Sequence, residues 1–351
     1  MRWAIFCRVI DNYGDAGVCW RLAADLNHRG EAVTLYIDDP EVLGTLLDPD
    51  PRTDTVLIKP WPADTAHFTA ADVADVVIEA FACDPPTAYV AAMAARATAG
   101  KPSAWINLEY LSAEDWVGAH HRLPSPHPRY PLVKYFYFPG FTPESGGLLR
   151  ENDQPVMVNN HGVSDALRIF LFGYEQPALQ NWVRAQQNAV LSIAPCALAD
   201  QLAELSLELA ESCRLEYLPF VPQSAFDEVL RGQDLLFVRG EDSFVRAQWA
   251  GKPVFWQIYP QDEAAHIKKL IAFYKRYLNP QILSAPDREN FMRFILAWNA
   301  SGDTTLCGTL WPKILKLLPT LQLNAQQWRE DLLKQPDLVT QLRAFVADLV
   351  K

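Results

Sequence analysis

Ala4-Ile5-Phe6-Cys7-Arg8-Val9-Ile10, followed by Asp11-Asn12-Tyr13-Gly14-Asp15-Ala16-Gly17 and then Val18-Cys19-Trp20-Arg21-Leu22, is the stretch that decides the fold. A short apolar run of strand length meets a turn-rich loop. The loop opens a segment, residues 18–26, whose apolar positions recur at helical spacing. That helix is expected to stop near Arg29-Gly30, and residues 32–37 read as a second strand. Strand, helix, strand in this order is a βαβ unit, which implies parallel pairing.

The pattern continues outward. Residues 56–58, 76–78 and 104–108 read as further buried strands, with an alanine-rich helix over 87–97. Proline, histidine and glycine crowd residues 123–147, interrupted by an aromatic strand at 135–138. The polar stretch 151–165 is the candidate linker. Alternation then restarts, with strands expected at 167–172, 189–193, 215–218, 235–238 and 254–258 and a helix from Pro177. The tail from Asp337 places Leu338, Leu342, Phe345 and Leu349 at helical spacing. The expected architecture is α/β, with two Rossmann-like domains facing a central cleft. The first spans 1–155, with the C-terminal helix 337–351 packed back on it. The second spans 165–330.

Composition agrees with a two-domain globular enzyme: 351 residues, 50% hydrophobic and 21% charged. A net charge of −11 argues against a nucleic-acid binder, since affinity for a phosphate backbone needs a basic face. No apolar stretch approaches the length of a membrane span. The six cysteines are scattered without ligand spacing, and the first apolar run reads as a strand rather than a leader. A cytoplasmic location is expected.

Two strand-to-helix rims attract attention, because open α/β folds bind ligands at the carboxyl ends of their strands. In the first, Gly14 and Gly17 would let substrate approach the backbone, and Asp11 and Asp15 offer two carboxylates. The same residue types also suit a turn and a helix cap. The second rim is Phe237-Val238-Arg239-Gly240-Glu241-Asp242-Ser243-Phe244, leading to Gly251-Lys252-Pro253. Its helix start, with Arg239 or Arg246 adding charge, suits a diphosphate. The alternative there is a plain capped helix, with Asp242 or Ser243 as the cap. Phe172-Gly173-Tyr174 ends the first strand of the second half and Pro219-Phe220-Val221-Pro222-Gln223 a later one; both suit a pyrimidine, unless their rings are simply core.

Other patterns carry less. Asp48-Pro49-Asp50 spells a metal-binding D-x-D but lies in a proline-rich acidic loop. His120, His121 and His127 have no partner at ligand spacing, so no metal is expected. Neither G-x-G-x-x-G nor G-x-S-x-G occurs, which disfavours dehydrogenases and α/β-hydrolases.

The loop from Asp11 to Asp15, the segment Asn107-Leu108-Glu109-Tyr110-Leu111, the strand from Tyr135 to Gly140, Arg239-Gly240-Glu241-Asp242-Ser243 and Ile258-Tyr259-Pro260-Gln261 together resemble one family over nearly the whole chain. It is the arginine rhamnosyltransferase family of bacterial elongation factor P, the EarP family. The resemblance implies a GT-B glycosyltransferase that inverts, needs no metal or other cofactor, and moves L-rhamnose from dTDP-β-L-rhamnose to an arginine of elongation factor P. It implies a catalytic role for Asp15 as general base, for Asp11 as its companion, and for Glu241. It further implies that Phe172 and Phe220 stack on thymine, and that Tyr174, Gln223, Asp242, Ser243 and Tyr259 contact the donor. A transferase of the same donor class acting on a lipid or small molecule is the rival reading.

Overall fold

The computed structural model describes residues 1–10, 13–47, 55–63, 66–151, 166–260 and 264–350. The chain forms two compact units, Met1–Asn152 with Gln335–Lys351, and Asp153–Lys334.

In the first unit the described strands are β1 (Arg2–Cys7), β2 (Ala32–Ile37), β3 (Leu57–Pro60), β4 (Val76–Ala80), β5 (Ala104–Leu108), β6 (Pro124–Pro126) and β7 (Val133–Tyr137). Their order across the sheet is β3-β2-β1-β4-β5-β7-β6, parallel except for the β6–β7 pair. Residues 3–7 of β1 and all of β4 and β5 are buried, as expected where both faces of a parallel sheet are covered. β3 departs from the sequence reading: it is an edge strand, and all four of its residues are exposed. Its apolar Leu57 and Ile58 gave a false signal of burial.

The helix Tyr13–His28 starts earlier than apolar spacing suggests, because Gly14 and Asp15 already belong to its first turn. The C-terminal helix Leu338–Leu349 packs in this unit. Asp337 caps it by accepting the Thr340 N–H at 2.8 Å and also takes the Arg29 guanidinium at 2.9 Å. Leu338, Val339, Leu342 and Val346 are its buried face, while Phe345 meets Tyr135 at 5.5 Å.

The second unit holds β8 (Leu167–Leu171), β9 (Ala189–Ile193), β10 (Arg214–Tyr217), β11 (Leu235–Arg239) and β12 (Val254–Gln257). All pairs are parallel, in the order β10-β9-β8-β11-β12. Aromatic packing forms much of its core: Phe237 stacks on Phe255 at 4.4 Å, and Trp182, Trp298 and Trp311 surround them. Helices Ala265–Tyr277, Ala285–Trp298, Leu306–Lys316 and Leu318–Leu333 complete the unit.

The parallel strands of each sheet reverse their winding between β1 and β4 and between β8 and β11. These are topological switch points, where the loops diverge and leave a crevice at the carboxyl ends of the strands.

Candidate functional site

At the switch point of the first unit, Asp15 is only 3% exposed and accepts the Ile10 N–H at 2.9 Å. It lies in the first turn of the helix, so it is not the N-cap that its residue type suggested. The position places a carboxylate at the positive end of the helix dipole. Gly14 and Gly17 sit on the same helix, in the unit that does not carry the other donor candidates. Asp11 and the Asp48-Pro49-Asp50 triplet lie outside the described residues.

Across the switch point, the loop after β4 carries Phe81, Ala82 and Asp84 at φ of 57°, 55° and 48°. Three side-chain-bearing residues in the left-handed region store strain, and the surroundings hold them there. Asn107, 1% exposed, accepts the Ala82 N–H at 3.1 Å and donates to Glu109 at 2.6 Å, while Phe81 stacks on Tyr110 at 4.3 Å. Sequence reading gave no warning of this loop.

At the switch point of the second unit, Phe172, Gly173 and Tyr174 follow β8, and Arg239, Gly240 and Glu241 end β11. The Arg239 guanidinium lies 4.8 Å from the Phe172 ring centroid and 4.5 Å from that of Tyr174. Tyr174 meets Tyr259 edge-on at 5.7 Å. Gly240 turns the chain at φ 62° and is held at both ends: its carbonyl accepts the Trp256 indole N–H at 2.7 Å, and its N–H donates to the Gln257 carbonyl at 3.3 Å.

The next helix, Asp242–Ala250, begins with Glu241 in the N-cap position, and no side chain makes a cap hydrogen bond there. Asp242 and Ser243 are therefore not the cap. The Asp242 carboxylate accepts from Gln223 at 3.1 Å and Arg246 at 3.3 Å, and Ser243 Oγ donates to the Arg239 carbonyl. Phe244 stacks on Trp256 at 3.8 Å, which fixes the direction of the helix against β12. A helix start without a side-chain cap, beside an aromatic-mounted guanidinium, is the chemistry that holds a diphosphate. Of the two candidate arginines, Arg246 is already engaged by Asp227 and Asp242, at 3.0 and 3.3 Å. Arg239 is the one placed at the rim.

Phe220 follows β10 and is 45% exposed, and Tyr259 follows β12 at 40%. Large aromatics left in solvent at the binding edge of a sheet are candidate stacking platforms. Phe172 packs edge-on against Phe226 at 6.3 Å. The residues the sequence proposed for the donor thus gather on one edge, apart from Gly14 and Gly17. Gln257, buried beneath this edge, was missed, because a lone glutamine at a strand end carries no motif. No group of three or more histidine, cysteine, aspartate or glutamate residues among those described could hold a metal ion. No described helix is long and apolar enough to cross a membrane.

Comparison with known proteins follows the same lines. The sequence model of the family described as elongation-factor P (EF-P) rhamnosyltransferase EarP matches residues 3–347. A protein-arginine rhamnosyltransferase of Pseudomonas aeruginosa is 41% identical, with 99% of each chain aligned. A solved structure concerned with EarP-mediated arginine glycosylation of translation elongation factor EF-P is similar at a TM-score of 0.65 and 30% identity, covering 99% of both chains. A spinosyn rhamnosyltransferase, at 13% identity and a TM-score of 0.55 over 98% of this chain and all of its own, shares the fold alone. The fold is that of the GT-B glycosyltransferases.

Proposed function

The chain belongs to the EarP family of elongation factor P rhamnosyltransferases and is a glycosyltransferase; from that premise we propose that it moves L-rhamnose from dTDP-β-L-rhamnose to an arginine side chain of elongation factor P, with inversion. The observation that carries the donor half of this reading is Arg239 mounted on Phe172 and Tyr174, beside the helix start at Glu241. The exposed Phe220 and Tyr259 rings offer faces to the base and sugar, and Gln223 sits on the same edge through its bond to Asp242. No metal is called for: the helix start and one guanidinium neutralise charge that develops on the leaving diphosphate.

The acceptor half assigns the first unit to elongation factor P and the second to the nucleotide sugar. An arginine side chain stays protonated at any physiological pH, and its nitrogens are poor nucleophiles. An aspartate with a pKa near ~4 does not remove that proton in advance. In this reading Asp15, with Asp11 as its companion, holds the guanidinium by charge-assisted hydrogen bonds and takes the proton late. The arginine nitrogen attacks the anomeric carbon as the bond to the diphosphate breaks on the opposite face, which gives inversion. Glu241 beside a diphosphate would repel it, so its assigned task is to orient a sugar hydroxyl or the neighbouring Arg239. The reaction is assigned to the cytoplasm, which agrees with six free cysteines.

The test is incubation with dTDP-β-L-rhamnose and elongation factor P, reading the intact mass of the acceptor. A gain of one deoxyhexosyl group, lost when the acceptor arginine is replaced by lysine, supports the proposal. Transfer to a lipid or small molecule with an unmodified protein acceptor overturns it.

A further inference from the structure

Gln257 ends β12 with its side chain 7% exposed, and it uses both ends of its amide. Oε1 accepts the Tyr174 N–H at 2.9 Å, and Nε2 donates to the Glu175 carbonyl at 3.2 Å. Its main-chain carbonyl accepts the Gly240 N–H at 3.3 Å. One residue thereby joins the loop after β8 to the turn after β11, the two segments that bring Tyr174 and Arg239 together.

The fit is tight. A Cβ on residue 173 would lie 2.7 Å from Gln257 Oε1 and 3.0 Å from Leu198 Cδ2. Gly173 is not among the residues with positive φ, so its backbone conformation does not call for glycine. The close approach of the Gln257 amide does. A buried amide carries a desolvation cost, which its two hydrogen bonds offset, and an apolar side chain of similar size would leave the Tyr174 N–H and the Glu175 carbonyl without the partner Gln257 supplies. Retaining an amide that is satisfied at both ends fixes position rather than adding packing.

We infer that Gln257 is the positioning residue of the donor site, setting the spacing between the Phe172–Tyr174 loop and the Arg239–Gly240 turn. The inference rests on reading this edge as the site of the nucleotide sugar. Gln257 acts through the backbone of residues 174, 175 and 240, so its loss changes donor affinity and leaves the acceptor side alone.

The experiment compares Gln257→Leu, the isosteric Gln257→Glu and Gly173→Ala in the full chain, measuring the dTDP dissociation constant, KM for donor and acceptor, and melting temperature. Gln257→Glu, which loses the Nε2 bond, is expected to bind dTDP about tenfold more weakly, Gln257→Leu, which loses both side-chain bonds, at least as much, and Gly173→Ala, whose Cβ displaces Oε1, in the same direction. KM for the donor should rise by a similar factor while KM for the acceptor stays put. Gly173→Ala should cost less in a Gln257→Ala background, where Oε1 is gone, and that non-additivity is not expected of two separate packing defects. If Gln257→Leu does not fold, the isosteric and Gly173 variants carry the same comparison. Folded variants that bind dTDP like the wild type overturn the inference, and so does a strictly additive pair. Should Phe172→Ala weaken dTDP binding while the Gln257 variants do not, only the positioning role falls. A wild-type chain that does not bind dTDP removes both.

Discussion

Arg239 holds its guanidinium 4.5 Å from the ring centroid of Tyr174, at the switch point of the second sheet. Phe172 flanks the same group at 4.8 Å. Among the described residues the planar cation is held by aromatic rings and by no carboxylate within ion-pair distance. Replacement by lysine keeps the charge but loses the stacked plane and the fork of donors. Affinity for dTDP should fall in the order Arg, Lys, Ala. The alanine variant should lose about 1.5–3 kcal/mol, the worth of a charge-assisted hydrogen bond. Thymidine without phosphates should bind all three alike, which a titration with both ligands checks.

Phe220 is the second test of the donor side. Phe220 is 45% exposed, so Phe220→Ala should lower the melting temperature less than loss of a core aromatic would. If its ring stacks on the base, the variant binds dTDP more weakly by about 1–3 kcal/mol, a magnitude taken from base–aromatic stacking in nucleic-acid binders. Unchanged dTDP affinity would remove Phe220 from the site.

Metal removal gives a third expectation. If the helix start and Arg239 serve the diphosphate as proposed, turnover should survive prolonged treatment with EDTA. Loss of activity that Mg²⁺ or Mn²⁺ restores would overturn that account.

His121 supplies a pH dependence. Its Nδ1 accepts the Phe138 N–H at 3.1 Å, while Nε2 is buried without a partner among the described residues. Burial first, and the Arg122 charge second, push its pKa down to about 4. The folded protein therefore refuses a proton that the unfolded chain accepts below about pH 6.5. Stability from this group is full above pH 6.5 and declines as pH falls towards 4, by on the order of 2 kcal/mol once the part of the ring that meets solvent is allowed for. The melting temperature of His121→Asn should fall less steeply over that window than that of the wild type.

The strand–helix alternation, and with it the GT-B fold class, was legible because central parallel strands such as β4 and β5 are mostly apolar and fully buried, with Glu79 and Asn107 as their polar exceptions. The edge strands β10 and β12 were read as strands too, but edge position was not legible: Leu57 and Ile58 look buried in sequence and are exposed, and β6, Pro124–Pro126, gave no strand signal. The rim motifs were visible because Gly240 and the Asp242–Ala250 helix start carry local turn and helix chemistry. The contributions of Gln257 and Asn107 were hidden, since each acts by bonding backbone far away in sequence. The alternative reading of Asp242 or Ser243 as a cap failed because their side chains bond Gln223, Arg246 and the Arg239 carbonyl instead.

The central claim is that Asp15, on the first unit, handles the acceptor's proton while the second unit holds the donor. The rate of arginine transfer by Asp15→Asn tests it most directly. Asparagine can still accept the Ile10 N–H that Asp15 takes at 2.9 Å, so the fold should lose no more than about 1–2 kcal/mol, the worth of the carboxylate's charge at the helix start. The donor edge, built from other residues, should bind dTDP as before. Losing the base and its charge should slow transfer by about 10²–10⁴-fold. Transfer at a near-wild-type rate would contradict the claim, leaving Asp15 with a structural task and Asp11 as the remaining carboxylate for the chemistry.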